Sequence, residues 1–145
     1  MALLEYLTTS GSTPALERVL SFTQARHRML TENIANIDTP GYRTRQLDTE
    51  AFRAEMRRAI DTRRSPDESL RLRSTRELKW SDCGRLDAMP ALEPPERALS
   101  YDGTNARVER QMSMLAENGL AHQMAAEILR KNYDNLMSAV RGRAT

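Results

Sequence analysis

Apolar residues recur with a heptad period through the last third of this chain, and that pattern constrains its fold more than any other feature. Val108, Met112, Leu115, Gly119, His122, Ala126, Leu129, Tyr133, Leu136 and Val140 step alternately by four and three, over about five heptads. The pattern predicts one long helix, on the order of 55 Å, with a face turned to a partner helix. Asp102-Gly103-Thr104-Asn105 offers a turn and an N-cap before it, and Gly142 stands where the helix stops. Met114, Leu120, Met124, Ile128 and Met137 lie largely off the seam and form a second apolar stripe. A helix apolar on more than one side is buried on more than one side. One seam takes a helix of the same chain; the other requires a further partner.

The partner within the chain is legible near the N-terminus. Leu16, Leu20, Thr23, His27, Leu30, Ile34 and Ile37 repeat the same alternation. Pro14 marks the helix start, with Ser12 or Thr13 placed to cap it. The seam ends at Asp38-Thr39-Pro40-Gly41. Pro40 disfavours helix at Thr39, and Pro-Gly supplies the central pair of a type II turn. The spacing predicts a helix of roughly 25 residues. Leu16, Leu20, Leu30 and Ile34 are its expected contacts, against Val108, Met112, Leu115, Leu129, Tyr133, Leu136 and Val140 of the long helix.

Between the two seams no long period survives. Leu47, Phe52, Met56 and Ile60 suggest a short helix from about Asp48 to Thr62. Leu70-Arg71-Leu72-Arg73 alternates apolar and polar, as a short strand would, while Pro66, Pro90, Pro94 and Pro95 mark loops. The expected fold is mainly α. Two long terminal helices pair as a coiled coil around an irregular insert with a short helix and a short β-strand or hairpin. Residues 1–42 and 101–145 form the terminal helical, polymerising domain, and residues 43–100 the insert. Eight Met against two Phe, one Trp and four Tyr suit helices packed through aliphatic side chains and not a large aromatic pocket. Two helices alone make a thin core, so stability depends on neighbours.

Few residues offer chemistry. His27 and His122 both fall on seams and read as interface histidines, because no carboxylate or Cys stands at ligand spacing beside either. A lone cysteine, Cys83, sits in a polar loop beside Asp82, a neighbour that discourages thiolate formation, and it excludes a multi-Cys zinc site. No phosphate loop or nucleophile elbow is present. No catalytic, cofactor-binding or metal residue is expected. Net charge is +2, but unevenly placed: Arg53 to Lys79 carries nine basic and five acidic residues, and Trp80 to Asn105 two basic and five acidic. Such blocks attract each other or a neighbouring subunit. The Arg53-Arg57-Arg58-Arg63-Arg64 cluster is interrupted by Glu55 and Asp61 and lacks aromatics for stacking. No apolar run reaches the ~18 residues of a membrane span, and Met1 to Ser10 lacks a basic n-region.

Asn33-Ile34-Ala35-Asn36-Ile37-Asp38-Thr39-Pro40-Gly41-Tyr42, with Ala25 to Leu30 upstream, resembles the N-terminal signature of bacterial flagellar axial proteins, the rod, hook and hook-associated subunits. The turn residues Asn33, Asn36, Asp38, Pro40, Gly41 and Tyr42 carry it. Asp102-Gly103-Thr104-Asn105, Val108-Glu109, Met112 and Leu115-Ala116-Glu117-Asn118, with the short length, resemble the proximal rod subunits in particular. The resemblance covers about Ala15 to Phe52 and Tyr101 to Arg141; Ala106, Arg107 and Gln111 depart from the usual residues. It implies terminal helices that pair and pack against the same helices of neighbours in a helical tube, with the second stripe as the inter-subunit surface. It further implies export through the flagellar type III apparatus and a place in the periplasmic rod. The partners would be an MS-ring protein, the FliE adaptor and rod proteins of the FlgC, FlgF and FlgG types. No nucleic acid, membrane insertion or catalysis is implied. The opposing readings are a soluble helical adaptor or nucleic-acid-binding coiled coil using the Arg53 to Arg64 face, and a small enzyme using His27, His122 or Cys83.

Overall fold

In the computed structural model, which describes residues 12–63, 70–81, 85–93 and 103–142, Pro14 opens helix α1, Thr13–Ala35. Ser12 holds the N-cap position but makes no side-chain cap; its carbonyl accepts from Leu16 N. The helix ends through Asn36, whose N–H and side-chain amide both reach Glu32 O. Tyr42 N then bonds Thr39 O at 3.0 Å, and Gly41 sits at φ +78°, the left-handed value a type II turn requires at its third residue.

The insert follows. β1, Arg45–Gln46, leads to α2, Thr49–Thr62, capped by the Asp48 carboxylate accepting from Ala51 N at 2.9 Å. A hairpin of β2, Leu78–Trp80, and β3, Leu86–Ala88, comes next, and β4, Ala91–Leu92, returns to pair antiparallel with β1. The short helix forms where its period placed it. The strand does not: Leu70 to Arg73 keeps the alternation in burial but joins no ladder. Arg73 N bonds a Glu55 oxygen at 2.6 Å, and the strands form at 78–80 and 86–88 instead. Pro66, Cys83, Pro94 and Pro95 lie outside the described residues.

α3, Gly103–Val140, is helical through the stretch expected to be a turn, and Asp102 lies outside the described residues. It stops as expected, with Gly142 at φ +67° and Gly142 N on Ala139 O.

α1 is the element buried from two sides. Phe22 and Met29 join Leu47, Phe52, Met56, Leu70 and Leu78 in one apolar cluster, while the neighbouring Thr23 faces α3. The Phe22 and Phe52 rings stack at 4.0 Å between centroids, Trp80 extends the stack at 6.3 Å, and Arg18 lies over Trp80. Both Phe and the one Trp of the sequence thus serve to seat the insert on α1. None of the described helices is long and apolar enough to cross a membrane.

Candidate assembly interface

The contact between α1 and α3 is antiparallel and its centre is polar. Asn132 Nδ2 donates to Ser12 Oγ at 3.0 Å, Asn118 Nδ2 to Thr23 O at 2.8 Å, and Asn33 Nδ2 to Gln111 Oε1 at 3.2 Å. Beyond these, Arg107 Nη2 donates to Ile37 O at 2.7 Å. Twenty-one residues separate Ser12 from Asn33, and twenty-one separate Gln111 from Asn132, so the helices keep step for about six turns. Gln111, Asn118, Ala125 and Asn132 recur every seven residues, and the first three are buried. A buried amide that must find its partner fixes register more firmly than an interchangeable apolar pair. Asn118, 1% exposed, leaves its Oδ1 unpaired among the described residues. His122 Nδ1 lies 2.8 Å from Thr23 Oγ1. With the Thr23 proton given to the Val19 or Leu20 carbonyl, that oxygen accepts from His122.

Asn33 is the anchor of the signature turn. It is fully buried, and all four of its side-chain bonds are made. Nδ2 donates to Arg45 O and to Gln111, while Oδ1 accepts from Arg45 N at 2.9 Å and from Tyr42 OH at 3.0 Å. One amide therefore ties the end of α1 to β1 and α3, and holds Tyr42 back over the turn. Asp38, Pro40 and Gly41 remain exposed at its tip. Gln111, a departure from the usual residue, is the acceptor that Asn33 meets; Arg107, another, closes the end of α1.

The seam residues divide into two lines. Leu16, Leu20 and Ile34 of α1 are half-buried, as are Val108, Leu115, Leu129 and Leu136 of α3; Leu30 is buried. Met112, Tyr133 and Val140 are exposed, so this line of the heptad turns away from α1. The second stripe also divides. Met114 packs against the core cluster. Leu120, Met124 and Ile128, four residues apart, form a continuous exposed ridge, at 63%, 65% and 45% exposure. Met137, also exposed, lies nine residues past Ile128, about two and a half turns and so on the other side of the helix. His27 is exposed and does not face His122. A contiguous exposed apolar ridge such as Leu120–Met124–Ile128 marks a candidate interaction surface.

Charge is handled locally. Glu93, missed as a structural residue because it lies in the acidic block, is buried. It accepts from Thr44 Oγ1, pairs with Arg110 at 3.1 Å, and bonds Thr44 O through its backbone N–H. Arg53 pairs with Glu50 and Arg58 with Glu55, so part of the basic face is neutralised on its own helix. The Arg58 guanidinium, aided by Arg73 N, holds the Glu55 carboxyl below the usual carboxylate range against the opposing effect of burial. The same pairing raises Arg58. A cleft of about 450 Å³ is lined by Arg26, Arg45, Glu77, Glu93 and Arg110, and by neither histidine. Desolvation lowers the Arg26 pKa, with Glu117 opposing. Among the described residues no three His, Cys, Asp or Glu side chains gather as a metal would need.

Known proteins are similar to this chain along most of its length. The flagellar basal body rod protein FlgB of Cereibacter sphaeroides is 30% identical over 125 residues, covering 86% of this chain and 90% of that protein. The chain belongs to the FlgB family. FlgB of Bacillus subtilis is 28% identical over 92% of this chain and 95% of its own length, and FlgB of Escherichia coli 27% identical over 86% and 88%. No family model matches. Membership fits the signature that Asn33 anchors.

Proposed function

We propose that this chain is a structural subunit of the proximal flagellar rod. It polymerises with other rod proteins to join the basal-body MS ring to the rod and to transmit torque. Its role is mechanical, not catalytic. Export through the flagellar type III apparatus delivers it, and it works in the periplasmic rod beside a FliE-type adaptor and rod proteins of the FlgC, FlgF and FlgG types.

The observation that carries the reading is the uncovered apolar surface of α3, above all the Leu120–Met124–Ile128 ridge. In water such a surface is unfavourable by roughly 25 cal/mol per Å² of apolar area, a cost removed when a neighbour covers it. A torque-bearing wall also needs stiff elements. α3 is 38 residues long, close to 57 Å end to end, and three amide rungs hold it in step with α1. Residues 1–42 with 101–145 supply the polymerising unit, and residues 43–100 brace it.

The substitution Met124→Asp tests this. The variant is expected to be exported at the normal level and to leave cells without rods and non-motile. Normal motility would contradict the reading.

A further inference from the structure

Charge around the cleft between α1, β1 and α3 does not balance once each side chain is given its own partner. Four carboxylates line this space of about 450 Å³, and each is engaged. Asp48 caps α2 through Ala51 N, Glu50 pairs with Arg53, Glu77 accepts from Asp48 N at 2.9 Å, and Glu93 holds Arg110 and Thr44. Of the three arginines in the lining, Arg110 is taken by Glu93. Arg45 reaches Glu32 only at 3.9 Å, on the exposed rim. Arg26 makes no hydrogen bond or ion pair among the described residues. It is half-buried on α1, and burial lowers its pKa, with Glu117 on α3 opposing and Arg53 adding to the effect. A guanidinium presents its donors as a rigid fork that matches a carboxylate. Here the fork is held among packed elements with nothing to grip. Beside it the cleft has an apolar floor, where Met29, Leu30 and Leu47 are buried and Met114 half-buried.

Resting on the rod reading above, we infer that the cleft docks an acidic peptide segment of a neighbouring rod subunit, an Asp or Glu flanked by apolar residues, with its carboxylate on Arg26. Charge selects the acid, because the positive groups of the lining are the ones left without a close partner. The floor selects apolar flanks. A compact dianion such as phosphate suits the cleft badly, since the carboxylates on its walls repel it; the same carboxylates accept the N–H groups of a peptide backbone. Size agrees: the volume lies within the ~300–1,000 Å³ of clefts that enclose a ligand, room for a side chain and the backbone that carries it. Arg26 is already partly stripped of water in the free subunit, so an ion pair formed there gives up less hydration than one formed at an exposed arginine.

Photo-cross-linking in basal bodies tests the assignment. A chain with p-benzoylphenylalanine in place of Gln46, which lines the cleft, replaces the cell's own copy, and purified basal bodies are irradiated. We expect an adduct to a neighbouring polypeptide whose cross-linked peptide, once sequenced, holds an Asp or Glu among apolar residues. Adding Arg26→Gln should lower the adduct per chain present by about tenfold, the effect of losing one charge-assisted hydrogen bond, and Arg26→Lys by less. An adduct unchanged by Arg26→Gln, one confined to the same chain, or a captured segment without an acid would overturn the assignment. No adduct from basal bodies that contain the chain overturns it too, and leaves the rod reading standing; absence of the unaltered chain from basal bodies is what defeats that reading. In parallel, Arg26→Gln without the photo-reactive residue should leave the melting temperature of the isolated chain unchanged or higher, since Arg26 bonds nothing within the subunit, and should slow swarming. Swarming at the native rate would overturn the assignment independently of the probe.

Discussion

At the scale of single residues, side chains that hydropathy assigns to the surface hold the fold in register. Asn33→Ala leaves Arg45 N–H, Tyr42 OH and Gln111 without a partner in a buried site. We expect it to lower stability by on the order of 3 kcal/mol in urea unfolding, several times the effect of a surface substitution. Glu55 makes the pH-dependent case. Its folded pKa is below the unfolded value, so its contribution is full above the ordinary carboxylate range and is lost as pH falls through the lowered value. Glu55→Gln should therefore lower stability at pH 7 by about 1 kcal/mol and make acid unfolding less steep. Unfolding midpoints at pH 7 and pH 3 for both chains check this. Asn33 was readable as part of the signature, whereas its partner Gln111 was not. A buried amide pair leaves no periodic trace, because hydropathy cannot distinguish a satisfied amide from a solvated one.

At the scale of elements, the two long helices were legible because both seams keep a 3.5-residue period to their ends. Which side of each faces the other was only partly legible. The α1–α3 contact centres on Gln111, Asn118, Ala125 and Asn132, one position away from the apolar line that ends in Tyr133 and Val140. Apart from Ala125, the apolar residues of α3 thus mark the edge of the internal contact and the outer surface, not its middle. α2 was readable from Leu47, Phe52, Met56 and Ile60. A short strand or hairpin in the insert was expected and is present, but its position was not legible, since two- and three-residue ladders are shorter than any period. Seating of the insert on α1 is itself testable. Phe52→Ala removes the middle ring of the stack, and we expect a loss of about 3–5 kcal/mol with a shift in Trp80 fluorescence. Leu129→Asp places a carboxylate in the half-buried inner line of α3. It should reduce helicity of the isolated chain, which circular dichroism reads, whereas Met124→Asp should not.

At the scale of the whole molecule, an internal contact specified by amides leaves much of the apolar side-chain surface of α3 exposed. The core is not the thin two-helix one expected, because the insert's Leu47, Phe52, Met56, Leu70 and Leu78 pack on α1; the proposed rod subunit would add the burial of α3's outer surface on assembly. Under the proposed function two kinds of variant are expected: those in the amide rungs lower the subunit's stability, and those on the ridge impair rod assembly. Accessibility of the ridge before and after assembly addresses this most directly. In a Cys83→Ser background, Met124→Cys would be labelled with a maleimide in the free subunit and in purified basal bodies, with Arg57→Cys on the exposed side of α2 as reference. Rapid labelling is expected at 124 in the free chain, and at least tenfold slower labelling in the basal body, relative to the reference. Equal labelling of position 124 in both states would contradict it.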